Sequence, residues 1–423
     1  MKSFHSKVLI ILGVFVLLTA TLLVLRTGIL NTPKHIKGIE EIGVSFENFK
    51  IPEGVKVVGI GEATHGNAEF QEVKLQMLQK LVNEGSCHAI AFEMSPAEAA
   101  MYNDAIRENE TDLTELIGGT DYPLYDTKQM VDLLTWMREY NMSHDEAESV
   151  MIYGVDMQTG IRAAEYLRDF GQKHPEYMSD EDINTLSVLI DEFEKEHPEA
   201  RDFFYNLSVK LGSYDDVNCK NASIIANSLV QWLEAPSYAK NANDYSVHRD
   251  TCMAENLMAY YNIEKSRGYS QILITAHNGH VMKYNTDKTK DVNMGVKINE
   301  LFEGSYYCVG TEFYNTCVNV HTAGTYDDEY ERANHNYCSD DLLAYQAQYF
   351  EGGRYCLDFA SVDKTHKKVY NIIHRLNWTG MAGEGYSSNW EVYKSYRARM
   401  IAVDHYDAMI YYYETSPIDP IHY

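Results

Sequence analysis

The chain has 423 residues, 45% of them hydrophobic and 23% charged, so it can bury a large core as one large domain or two ordinary ones and is not a disordered chain. Its formal net charge of −26 repels phosphate backbones and argues against nucleic acid as a partner. Seven cysteines without a Cys-x-x-Cys pair argue against a zinc ribbon or a thioredoxin-type site, and their odd number leaves at least one thiol unpaired within a monomer.

Residues 8–25 are apolar and uncharged, a length that suits a helix crossing a hydrocarbon core of about 30 Å. Lys2 and Lys7 precede this run and Arg26 follows it. The positive-inside bias predicts a cytoplasmic N-terminus, a single-pass anchor over residues 1–30 and a body outside the cell membrane. A cleaved signal peptide is the competing reading. Residues 31–50 read as a linker with a short amphipathic segment, and residues 51–423 as one folded domain.

Within that domain, residues 55–60 form a buried-strand pattern that runs into Gly61-Glu62-Ala63-Thr64-His65-Gly66. Residues 69–83 carry apolar side chains at helical spacing, and Gly85 closes that helix. A second buried strand, residues 88–93, ends in Glu93, and the strand–helix–strand order predicts a parallel βαβ unit. Helices are expected at 97–108 and 127–141, and a third strand at 150–156. Residues from about 160 to 263 read as a large helical insertion, with the charged run 191–196 as a solvated helix face. Strands follow at 271–276, 306–313 and 408–412, while residues 321–395, rich in Tyr, Asn and Gly, give no clear pattern. The fold class expected is α/β: a mostly parallel central sheet flanked by helices, with the helical insertion and an N-terminal transmembrane helix.

In open α/β sheets, ligands bind beyond the carboxyl ends of the strands. Glu62 and His65, Glu93, and His277 with His280 all follow predicted strands, so the sheet would gather sequence-distant acids and imidazoles at one edge. His65 titrates near neutrality and is the candidate base, with Glu62 three residues earlier as its orienting carboxylate. Without that role, the run is a strand-end turn with Thr64 capping a helix. Glu93 either pairs with a His or Arg in the site or caps the following Ser95-Pro96 turn. His277 and His280 suit substrate contact or a metal, or they are turn histidines bonded to backbone. Arg249 can hold a carbonyl or oxyanion, or it forms a salt-bridged helix start with Asp250. Glu312 adds a further carboxylate at the sheet edge. Cys308 and Cys317 can face each other across a hairpin. No Gly-x-Ser-x-Gly elbow, P-loop or His-Glu-x-x-His helix occurs, which favours activated water over a covalent nucleophile.

The ordered set of Gly61-Glu62-Ala63-Thr64-His65-Gly66, Phe92-Glu93-Met94, Trp136-Met137-Arg138, Gly154-Val155-Asp156-Met157-Gln158, Arg249-Asp250, Ala276-His277-Asn278-Gly279-His280 and Tyr406-Asp407-Ala408-Met409-Ile410 resembles the erythromycin esterase family. The resemblance implies a hydrolase with no metal and no cofactor, acting on a small-molecule ester or lactone. His65 would be the general base, Glu62 its neighbour, Glu93 a second essential acid, His277 or His280 the second histidine, and Arg249 a charge in the same cleft. Asp156 and Glu312 would line the substrate side. The family's named reaction opens a macrolide lactone, which implies antibiotic resistance, but an anchored enzyme facing outward would not shield cytoplasmic ribosomes. Cys317 stands where the family pattern leads one to expect a small turn residue. Two other readings compete: a metal-dependent hydrolase or protease of the Gly-x-x-His type, and a non-catalytic accessory protein in surface polysaccharide assembly.

Overall fold

A computed structural model of the chain describes residues 11–22, 33–158, 160–193, 197–238, 241–284, 292–322, 331–387, 390 and 393–422. The strands are β1 (Val57–Glu62), β2 (Cys87–Phe92), β3 (Met151–Gly154), β4 (Gln271–His277), β5 (Tyr306–Thr322), β6 (Arg332–Cys338), β7 (Arg354–Asp358), β8 (Asn377–Gly380), β9 (Gly385–Tyr386), β10 (Arg397–Met400) and β11 (Ala408–Thr415). The helices used below are α1 (Ala68–Asn83), α2 (Pro96–Ala105), α3 (Leu113–Gly118), α4 (Lys128–Ser143), α5 (Ile161–Lys173), α6 (Asp180–Asp191), α7 (Ala200–Gly212), α8 (Val217–Tyr238) and α9 (Ala242–Ser266).

The main sheet runs β3-β2-β4-β1-β5-β11-β7, with β6 and β9 paired to the far end of β5. From β3 to β11 all pairs along this path are parallel, and β7 closes the edge antiparallel to β11. The strands read as continuous apolar runs because both faces are covered. Successive residues then alternate between two cores. Val58, Ile60, Ile90 and Phe92 face Phe70, Val73 and Met77 of α1 and Leu133 and Leu134 of α4. Val57, Ala89, Ala91, Ile272 and Ile274 face Met253, Leu257 and Tyr260 of α9 on the other side. A third cluster, built from α2 and α5 to α8, lies around Leu167, Phe204, Leu207 and Ile225.

Two features of connectivity differ from the simplest reading of the pattern. The first βαβ unit is parallel, but its strands are not neighbours: β4 enters after the helices α5 to α9 and lies between β2 and β1. Glu62 is thereby in register with His277, and Phe92 with Thr275, so three strand ends meet side by side. Cys308 and Cys317 both lie on the single long strand β5, so no hairpin separates them and Cys317 is not in a turn. All seven cysteines are free thiols.

The expected membrane anchor is not supported. Among the described residues no helix is long and apolar enough to cross a membrane. The helix present there covers residues 11–22, and residues 8–10 and 23–25 of the expected span lie outside the described ones. So do residues 194–196 of the charged run and residues 323–330 of the segment that gave no pattern.

Candidate active site

The turn after β1 carries the central pair. Glu62 is the last strand residue, and His65 sits in the turn that leads into α1, so the two meet across a turn. His65 Nδ1 lies 2.6 Å from Glu62 Oε1. The turn is held from three sides. The His65 amide donates to Gly383 O at 3.3 Å, Gly66 O accepts from Asn319 N and Ile418 N, and the Asn67 side chain donates to Thr316 Oγ1 and to the carbonyls of Cys317 and Ser416. Thr64 does not cap α1; its hydroxyl donates to Asn67 Oδ1, and Asn67 is the N-cap position.

Glu62 Oε2 is engaged separately, by Lys74 Nζ at 2.9 Å and by the Gln71 amide at 3.0 Å. Burial opposes ionisation of Glu62, but the Lys74 charge and the bond from His65 outweigh it and hold the carboxyl below the usual range. Burial likewise disfavours protonated His65, yet the Glu62 bond and charge prevail and its pKa is raised. With Nδ1–H directed at Glu62, the other nitrogen, Nε2, has no hydrogen-bond partner among the described residues.

A second cluster forms beyond β2, β3 and β4. Glu93 Oε1 meets Arg249 Nη2 at 2.7 Å and His280 Nε2 at 3.2 Å, and its Oε2 accepts the His277 amide at 3.1 Å. Asp156, fully buried, takes the other edge of the guanidinium through Arg249 Nε and Nη2. His280 Nδ1 is 2.5 Å from Asp250. Although burial opposes it, the negative charge of Glu93 and Asp250 pushes His280 up to about 10, so it is a cation at neutral pH. Glu93, also against burial, is held well below the carboxylate range by His280 and Arg249.

His277 joins the two clusters. Its ring lies 5.3 Å from that of His65 and 6.5 Å from that of His280, centroid to centroid. Burial, reinforced by the charges of His65 and His280, pushes it down to about 3, so it stays neutral. Its Nδ1 accepts the Gly279 amide at 3.1 Å, which assigns the proton to Nε2. That nitrogen is buried without a partner among the described residues. A buried N–H left unpaired costs free energy unless a ligand or water supplies the acceptor. Beside it, the side chains of Arg249 and His280 keep 17% and 21% of their surface exposed.

His65, Glu62, Glu93, His277, His280 and Arg249 are therefore assembled at one sheet edge, with Asp156 behind Arg249. Glu312 is placed differently. Fully buried within β5, it accepts from Thr379 Oγ1 and the amides of Gly380 and Phe313, and burial raises its pKa well above the usual range. It anchors β8 and the segment that follows, which carries Gly383 over the His65 turn. The sequence reading passed over Lys74, Gln71 and the bond from Asp250 to His280. Lys74 left a signal: it falls four residues after Phe70 and three before Met77, inside the apolar face of α1. Among the described residues no group of three or more His, Cys, Asp or Glu side chains is arranged to hold a metal ion.

The erythromycin esterase family model matches residues 82–415. The chain belongs to the erythromycin esterase family. The match begins near the end of α1, after Glu62 and the His65 turn, and takes in Glu93, Asp156, Arg249, His277 and His280. Among curated relatives, the putative hydrolase YbfO of Bacillus subtilis is 22% identical over 313 residues, 63% of this chain and 66% of that protein. Erythromycin esterase type II of Escherichia coli is 22% identical over 323 residues, 66% of this chain and 73% of that one. The chain thus spans about two thirds to three quarters of these relatives. Among solved structures, a succinoglycan biosynthesis protein superposes with a TM-score of 0.72 at 16% identity, covering 91% of this chain and 98% of that one. The erythromycin esterase EreC in its open conformation superposes with a TM-score of 0.55 at 14% identity, over 86% and 91% of the two chains. At these identities the structures show the shared fold. The family and the curated relatives indicate a hydrolase.

Proposed function

We propose that the chain hydrolyses a carboxylic ester or lactone of a small molecule, with His65 as the base that activates water. The observation that carries this reading is the Glu62–His65 bond, which consumes Nδ1–H and leaves Nε2 unpartnered beside the unpaired Nε2–H of His277. In the proposed reaction His65 Nε2 takes a proton from water, and the oxygen so activated adds to the carbonyl carbon. Negative charge then develops on the former carbonyl oxygen. A neutral imidazole that cannot readily be protonated, His277, is suited to donate a hydrogen bond there. Collapse breaks the bond to the alkoxy oxygen, which recovers the proton from His65. The products are a carboxylic acid and an alcohol, or a hydroxy acid from a lactone.

Arg249 and His280 provide positive charge at the exposed edge. Their anionic partners fix them in place before substrate arrives, so little reorganisation is needed during the reaction. Both are suited to hold the carbonyl end of the substrate.

The test is turnover of aryl esters and of a macrolide lactone by the wild-type chain and by His65→Asn. We expect turnover of at least one probe and its loss, by a factor of about 10² to 10⁴, in the variant with an unchanged circular dichroism spectrum. A folded His65→Asn protein that hydrolyses at the wild-type rate removes His65 from the reaction.

A further inference from the structure

We infer that Lys74 is a positioning residue for this site: its ammonium holds Glu62 as the carboxylate that orients His65 and keeps His65 Nε2 free to act as a base. The inference rests on the hydrolase reading for its role in turnover, but the linkage of Lys74 to His65 can be measured without it.

The position of Lys74 is costly. It lies on the inner face of α1 between Phe70, Val73, Met77 and Leu78, and only 1% of its side chain is exposed. Its ammonium is 5.4 Å from the centre of the Phe92 ring and 5.3 Å from that of Tyr125. A Met or Leu would suit those apolar surroundings without the desolvation cost of a buried charge. The charge has a specific target instead. Lys74 Nζ contacts Glu62 Oε2 at 2.9 Å and Gln71 Oε1 at 2.7 Å. Gln71 in turn donates to the same Glu62 oxygen and to the His65 carbonyl. The two oxygens of Glu62 are thereby divided: Oε2 serves α1, and Oε1 is reserved for the imidazole. A carboxylate fixed in this way sets the ring orientation and tautomer of its histidine.

The sign of the electrostatic effect follows from the groups that face the pair. Glu62, Glu93 and Glu384 bear on His65 and raise its proton affinity, while neighbouring His277 is neutral. Tyr125 faces Glu62 and is itself uncharged, its hydroxyl held well above the usual range by burial. Lys74 is the cation in direct contact with the pair. Removing one adjacent positive charge raises the proton affinity of the Glu62–His65 unit, whichever of its atoms takes the proton. Nε2 would then be occupied by a proton at a pH where the wild-type base is free.

The experiment is an NMR titration of the His65 Cε1–H resonance, assigned with His65→Asn, in the wild-type chain, Lys74→Met and Lys74→Gln. The Gln variant retains a hydrogen-bond donor and lacks the charge; it decides the matter if Met at this position does not fold. We expect the apparent pKa of His65 to rise by about one unit or more in either folded variant. An unchanged or lowered pKa in a folded variant overturns the proposal. Aryl-ester hydrolysis is followed in parallel, and the acid limb of the kcat/KM profile should move up with the NMR value. Lower turnover with an unmoved limb would mark Lys74 as a packing residue only and would also overturn it. If the wild-type chain hydrolyses none of the esters, the hydrolase reading fails, and the NMR titration still decides whether Lys74 sets the proton affinity of His65.

Discussion

At the scale of single residues, the site is a set of ion pairs that divide labour between two histidines. His65 is tied to one carboxylate, which raises its proton affinity and leaves its second nitrogen open. His280 is tied to two, Glu93 and Asp250, and is held charged. This makes a prediction for stability against pH. The folded pKa of His280, about 10, lies above the ordinary 6.5, so folding favours its protonated form. The resulting stabilisation is complete below about 6.5 and is lost progressively as pH rises to about 10. Asp250→Asn removes one of the two anions and lowers that pKa. Urea unfolding should find the variant less stable at pH 6 by about 1–3 kcal/mol, with the gap narrowing toward pH 10. A gap constant across that range would assign Asp250 a role independent of the His280 charge. Arg249 obeys the same logic in reverse: a permanent cation holding two buried anions, it is more costly to remove than to keep.

At the scale of elements, the reactive side chains are placed by backbone contacts that only small residues permit. A Cβ on Gly66 would stand 1.9 Å from Asn319 O and 2.6 Å from Asn319 C, so β5 and the turn could not both keep their places. Gly85 has a left-handed φ of 79° at the end of α1 and open space around it. Gly66→Ala should therefore displace His65 and reduce ester turnover by about tenfold or more, with an overpacking cost of about 1–3 kcal/mol. Gly85→Ala should cost about 1–2 kcal/mol of backbone strain and leave turnover unchanged. Equal turnover in the two variants would show that the close approach at Gly66 does not set the geometry of the site.

The same elements explain what could be read from sequence. Strands β1, β2, β3 and β4 are short apolar runs that lead to Glu62, Glu93, Asp156 and His277, and each was recognisable because both faces are buried. Their order in the sheet was not, since nothing local in Gln271–His277 says that β4 lies between β2 and β1. The length of β5 was hidden where it leaves the core, because past Phe313 its pattern alternates and it pairs with the polar edge strand β6. The burial of Glu312 was invisible for the opposite reason: its partners, Thr379 and Gly380, lie in the stretch with no periodicity. Arg249, Glu93 and Asp156 could be named one by one, but their mutual bonding depends on three strand ends meeting.

At the scale of the whole molecule, the last described residues return to the turn that carries His65. After β11, Ser416 O accepts the Ala68 amide, Ile418 N donates to Gly66 O, and Ile421 N donates to Asp126 O. Ser416 also donates to Glu69 through its amide and its hydroxyl. Ile418 is buried, and His422 reaches the fully buried carboxylate of Asp126, with Nδ1 2.7 Å from Oδ1 and its amide 3.2 Å from Oδ2. The tail thus ties the start of α1, just after the His65 turn, to the approach to α4. A chain ending at Thr415 loses three backbone bonds worth about 1 kcal/mol each, and it leaves a buried carboxylate without those donors at a further cost of about 1–3 kcal/mol. The expected outcome is a melting temperature lower by several degrees. Turnover should also fall below the melting transition, because Gly66 O would keep only its bond to Asn319 to fix the turn. Differential scanning calorimetry with parallel ester assays checks both. A truncated chain that melts and hydrolyses like the 423-residue one would make residues 416–422 an appendage, and the rigidity of the His65 turn would then have to come from β5 and the Gly383 contact.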